Sequence, residues 1–153
     1  LASNFPNLDQ AKCVRIALEH DFAEALTGDV SVYASSMERR RKPAREQSAI
    51  AELSTEAAKV GLKLDELTEY AAHASQEALF ISALDKIVPY FLLLAGSGHH
   101  ANPTPEEYAT TSQRARLHIE RCFEPLLPVF DRVAAEVEER VRALNSGRTG
   151  KHP

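Results

Sequence analysis

The residues best able to do chemistry lie together in His20-Asp21-Phe22-Ala23-Glu24-Ala25-Leu26-Thr27-Gly28-Asp29. His20 and Asp21 offer an imidazole and a carboxylate, donors that suit a divalent metal. Glu24 follows Asp21 by three residues and His20 by four. On an uninterrupted helix that spacing puts all three side chains on one face. Glu24 could then act as general base on a water held by the metal. Apolar Ala17, Leu18, Phe22 and Ala25 flank this strip, and no Lys matches it. A buried acidic strip of that kind is costly unless it is paired or metal-bound. The rival reading is a solvated helix face, because a His-Asp dipeptide alone is common.

Helices must position these groups. Ala11, Val14, Ala17, Leu18, Phe22, Ala25 and Leu26 recur at i, i+3, i+4 spacing, which predicts one amphipathic helix over 9–26. Asp9 is its expected N-cap and Gly28 its stop. The basic run 37–42 ends at Pro43, and a second helix is expected over 43–60, closed by Gly61. Leu64, Leu67, Tyr70, Ala71 and Ala74 predict a short helix. A further helix is expected over 76–94, kinked at Pro89 and ended by Gly96. Thr104-Pro105-Glu106-Glu107 is a capping box with Pro at the first helical position. The helix it starts is broken at Pro125 and Pro128, and Val133, Val137, Val141 and Leu144 continue an apolar stripe. Val30 to Tyr33 is the single short strand candidate. The expected class is all-α, one domain over 1–144 with a flexible tail over 145–153.

The segment Ala17 to Asp29 resembles the signature of the HD-domain metal-dependent phosphohydrolases. Its form, His-Asp, two residues, Glu, then Thr-Gly-Asp, is similar to the 5′-deoxynucleotidase branch. Arg45-Glu46-Gln47-Ser48-Ala49-Ile50 resembles the acidic helix that follows in that branch. Ser75-Gln76-Glu77-Ala78 and Leu84-Asp85-Lys86-Ile87 resemble its later segments, in the same order. The resemblance implies a compact helical HD bundle. It implies that His20, Asp21 and Asp85 are metal ligands, with Asp85 closing the site from a later helix. Glu24 and Asp29 are the implied catalytic residues, Glu24 acting on the attacking water and Asp29 at the pocket edge. Lys86 is implied near the substrate, paired with an acidic side chain, and Glu77 as orienting a neighbour. The implied reaction removes phosphate from (deoxy)nucleoside 5′-monophosphates by attack of a metal-bound water. Mn, Co, Mg, Fe, Ni and Zn all suit the donors to differing degrees.

Two features depart from the family pattern. The pattern has a further His on a helix before the His-Asp pair, and no His precedes His20 here. The sole Met is Met37 and residue 1 is Leu, so the domain is expected to be incomplete at its N-terminus, with that helix in front of Leu1. Val30 to Ser35 stand where the branch has Pro and Lys, which puts the substrate preference in doubt. Of the other histidines, His118 reads as partly buried, His99 and His100 as loop residues, and His73 as a distant candidate ligand. Arg39 to Lys42 with Arg45 form one basic patch, read chiefly as a charged face and secondarily as a steering patch for phosphate.

Composition excludes several classes. The chain has 153 residues, with 18 Lys plus Arg against 22 Asp plus Glu, a formal charge of −4. That excess of acid argues against a nucleic-acid coat. Cys13 and Cys122 are too few for a disulfide framework and read as core thiols. The most apolar run, Ile87 to Ala95, falls short of a membrane span and no secretory leader is recognisable, so a cytoplasmic protein is expected. The apolar stripe from Ile119 to Leu144 suggests a homodimer, as does the branch resemblance. Two other functions are carried beside the monophosphatase: a degenerate HD module that binds nucleotide or a partner protein, and an HD phosphohydrolase of nucleoside triphosphates.

Overall fold

Asp9 starts the first helix as expected, its carboxylate accepting the Lys12 N–H at 3.1 Å. The computed structural model describes residues 2–28, 36–96 and 103–146. Among these it contains eight α-helices, two 3₁₀ turns and no strand. The all-α expectation holds. The strand candidate at Val30 to Tyr33, His99, His100 and the tail beyond Ser146 lie outside the described residues. The chain divides into two compact units, Leu1–Ser82 and Ala83–Pro153.

In the first unit a 3₁₀ turn, Ala2–Asn4, precedes α1 (Gln10–Glu19) and α2 (Phe22–Thr27). The expected single helix over 9–26 is therefore two helices, broken at His20 and Asp21. α3 (Ser36–Lys59) passes straight through Pro43, where a helix start was expected. Proline removes one donor, but its fixed φ is helical, so a long helix can carry it. Gly61 follows α3 with a φ of +75°, in the left-handed region expected of a helix stop. α4 (Asp65–Ala72) packs on α1, and α2 packs on α3.

The buried side of α1 is not its apolar stripe. Cys13 and Ile16 are buried, Ile16 completely, whereas Val14 is 59% and Leu18 68% exposed. Phe22 and Leu26 continue the exposed strip on α2. Ion pairs flank the buried side of α1. Lys12 Nζ lies 2.7 Å from Glu69 and 3.6 Å from Glu77. Arg15 Nε lies 2.6 Å from Glu66 of α4. Glu77 also accepts the Asp9 N–H at 3.0 Å, which ties it to the start of α1. Cys13 and Ile16 face inward between these contacts, and Arg15 stays exposed.

α5 (Gln76–Asp85) and α6 (Val88–Ala95) replace the expected kinked helix. The chain turns at Lys86 and Ile87, and Pro89 sits in the first turn of α6, where its missing donor costs nothing. The segment Gln76–Ala95 is long and apolar enough to cross a membrane by length and composition, with a mean hydropathy of 1.8. This corrects the expectation drawn from run length, which Asp85 and Lys86 interrupt. Ala78, Phe80, Ile81, Ala83, Ile87 and Tyr90 of that segment are buried.

In the second unit α6 and α7 (Pro105–Phe123) pack on α8 (Leu127–Ser146). The capping box is formed as expected: Thr104 Oγ1 accepts the Glu107 N–H at 3.2 Å, and Glu107 accepts the Thr104 N–H at 2.8 Å. Phe130, Val133, Val137 and Val141 form the buried stripe of α8, and Leu144 is exposed. The Tyr90 ring meets Phe130 edge-on at 5.0 Å between centroids.

Candidate functional site

The candidate site begins at the break between α1 and α2. His20 ends α1, its N–H bonded to the Ile16 carbonyl at 2.9 Å. Asp21, at φ −89° and ψ −1°, occupies the bridge region between helix and strand. That pause re-aims the chain. His20 and Asp21 therefore do not share a continuous helix face with Glu24, contrary to the spacing argument. Instead they stand side by side, His20 Nε2 lying 3.1 Å from Asp21 Oδ1.

The orientation of His20 is fixed from behind. Its Nδ1 lies 2.9 Å from the Ala17 carbonyl oxygen. A carbonyl only accepts, so Nδ1 donates and carries a proton. In the neutral ring Nε2 is then an acceptor aimed at another acceptor, Asp21 Oδ1. A second proton on the ring would turn the contact into an ion pair, and a metal could be shared only if the two groups turned to face a common point. The Tyr70 ring of α4 meets the imidazole edge-on at 5.3 Å and limits its rotation. Tyr70 in turn contacts the His73 ring at 6.3 Å.

Glu24 lies in the first turn of α2 and has a basic partner after all. Lys42 Nζ of α3 donates to Glu24 Oε1 at 2.6 Å. The same ammonium lies 3.3 Å from Glu46, one helical turn further along α3. Burial opposes the charge on Lys42, but the Glu24 bond and the two carboxylates win, and its pKa is raised. Arg45 donates to the Thr27 carbonyl at the end of α2. The basic patch is thus spent in part on strapping α3 to α2, while Arg40 and Arg41 are exposed. Gly28 ends α2 with φ +73° and ψ 148°, a conformation open to glycine and strained for other residues. Asp29, the next residue, lies outside the described residues.

Glu19 adds a further carboxyl beside His20. Its Oε2 is buried without a hydrogen-bond partner in the structure. Burial, and then the nearby charge of Glu66, push its pKa up.

The second unit holds the last two expected site residues. Asp85 ends α5, and Lys86 donates to its Oδ2 at 2.7 Å. The acidic partner expected for Lys86 is therefore Asp85 itself. Among the described residues, no group of three or more His, Cys, Asp or Glu side chains is arranged to hold a metal.

The model of the HD domain family matches residues 1–125. The chain belongs to the HD domain family. It is 35% identical over 88 residues to the 5′-deoxynucleotidase HDDC2 of Bos taurus, a match covering 56% of this chain and 42% of that protein. It is 37% identical over 82 residues to the Homo sapiens protein of the same name, covering 52% and 39%. With the 5′-deoxynucleotidase hdd1 of Schizosaccharomyces pombe it shares 26% over 89 residues, covering 54% and 44%. The chain spans less than half the length of the curated relatives it matches. No solved structure matches it.

HD domains are generally dependent on a divalent metal. The His20–Asp21 pair fits that group. Metal bonds of about 2.1 Å to nitrogen and oxygen place adjacent ligands about 3 Å apart at right angles, near the observed separation of 3.1 Å, and a ring held by its other nitrogen is how ligating histidines are oriented. His20, Asp21 and Glu24 are the residues that type and spacing single out in the sequence. Sequence reasoning missed Lys42, Tyr70 and the Arg45 strap. Lys42 stands 18 residues from Glu24, a distance no local pattern reports.

Proposed function

We propose that this HD domain belongs to a divalent-metal-dependent phosphohydrolase that removes phosphate from deoxynucleoside 5′-monophosphates. The observation that carries the reading is the His20–Asp21 turn, with Nδ1 anchored on Ala17 and Nε2 facing Asp21 Oδ1. The names of the relatives support the reaction class and the substrate. His20 and Asp21 are the first two metal ligands in this reading, and Asp85 is the third. A divalent cation held by these residues would supply charge to phosphoryl oxygens and would acidify water. Glu24 receives the proton of the attacking water, one of its oxygens being held by Lys42. Asp29 orients substrate or water at the mouth. Lys86 restrains the Asp85 carboxylate by the bond it already makes.

Phosphate release from a panel of deoxynucleoside mono- and triphosphates, with Mn, Co, Mg or Zn added in turn, tests this reading. Release from monophosphates alone, abolished by chelation, is the expected result. Release confined to triphosphates, or bound nucleotide without turnover under every metal, contradicts it.

A further inference from the structure

Lys42 is one ammonium shared by two carboxylates from different elements. Glu46 lies one turn along its own helix, 3.3 Å away. Glu24 lies across on α2, 2.6 Å away. The helix neighbour costs no loop closure to meet, so Glu46 draws the Lys42 stem in the direction from which the ammonium reaches Glu24. All three side chains are about three-quarters covered, at 25–29% exposure, so the network is shielded from much of the screening that weakens surface pairs. Local charge also decides what Lys42 can bind. One positive and two negative charges leave a net negative group, which does not attract a phosphate dianion. A role in docking phosphate is therefore disfavoured, and a role in holding Glu24 is favoured.

We propose that Lys42 is a positioning residue for Glu24, itself aligned by Glu46. The proposal rests on the reading of Glu24 as the proton acceptor. Glu24 projects from a six-residue helix, and a glutamate side chain has several rotamers to choose among. The Lys42 bond engages Oε1 and fixes the carboxylate plane, which leaves Oε2 to address the water. Arg45, which holds the last carbonyl of α2, keeps the helix itself in register on α3. Lys42 acts on the side chain and Arg45 on the backbone.

The test uses the full-length metal-loaded protein and a deoxynucleoside 5′-monophosphate. K42M is expected to lower kcat roughly tenfold and to leave KM within about twofold, an interaction lost only in the transition state. K42R, which keeps the donor, is expected to recover most of the rate. In an E24Q background K42M is expected to cost nothing further, because a residue acting through Glu24 has nothing left to position. K42Q replaces K42M if the latter does not fold. A readout independent of turnover is acetylation by acetic anhydride, followed by mass spectrometry. Lys42 is expected to react faster in E24Q than in the parent protein. The proposal is overturned if K42M raises KM with kcat unchanged, if it costs the same factor in E24Q, or if acetylation is equal in both proteins. E24Q turning over at the parental rate removes the reading of Glu24 and the role of Lys42 together. With E24Q inactive and K42M fully active, the role of Lys42 alone falls.

Discussion

At the residue scale, His20 is held by a backbone carbonyl on one nitrogen and faces Asp21 with the other. If His20 ligates a cation, as proposed, removing the ring should weaken its binding. His20→Gln is expected to weaken binding of Mn or Co by at least 10-fold, the loss usual when a ligand or its orienting partner is changed, as read by isothermal titration calorimetry. Undiminished affinity contradicts the assignment of His20 as a ligand. These identities were legible in the sequence because side-chain type alone marks them. Their geometry was not. Nothing in the spacing of Ala17, Leu18, Phe22 and Ala25 announces that the helix pauses at Asp21 in the bridge region. Lys42 was invisible for another reason: its bond to Glu24 exists only once α3 has folded back on α2.

At the element scale, helix ends were legible where the chemistry of the end is local. Asp9, Gly61, Gly96 and the Thr104 box all work as their residue types predict. The buried face of α1 was less legible, since both of its sides carry apolar groups and only the packing of α4 against it distinguishes them. Ile16→Ala is expected to cost about 2–5 kcal/mol, whereas Leu18→Ser should stay within roughly 0.5 kcal/mol. Urea unfolding of the two variants checks both values, and equal losses contradict the burial of Ile16. The α1–α4 clamp also has a pH signature. Lys12, and then Ser75, hold the Glu69 carboxyl below its ordinary value, and Arg15 does so for Glu66. Burial works to raise Glu77, but the Asp9 N–H and Lys12 overcome it and its pKa is lowered. A lowered carboxyl contributes stability that is present above the unfolded pKa of about 4.3 and lost as pH falls through the folded one. The thermal midpoint should therefore drop below about pH 4.3, and Lys12→Met should make that drop shallower. An unchanged slope in Lys12→Met contradicts the clamp.

At the scale of the whole molecule, two helical units carry one family assignment, and the expected ligands are divided between them: His20 and Asp21 in the first, Asp85 in the second. A ligand that binds only the folded state raises stability by mass action, about 2.7 kcal/mol at 100 times its Kd. Added Mn or Co should thus raise the thermal midpoint of the parent protein and raise that of His20→Gln less at the same metal concentration. A chelator should reverse the rise. The whole-molecule properties were the least legible, because averaging over Gln76–Ala95 reveals an apolar segment that Asp85 and Lys86 hide from a count of consecutive apolar residues. A cation at the His20–Asp21 turn and proton transfer by Glu24 can be tested together in one measurement. Metal content and phosphate release are determined together for Glu24→Gln and the parent protein. Proton transfer by Glu24 requires equal metal content and a loss of turnover on the order of 10²–10⁴-fold, the span of general base catalysis. Turnover at the parental rate with metal bound contradicts it.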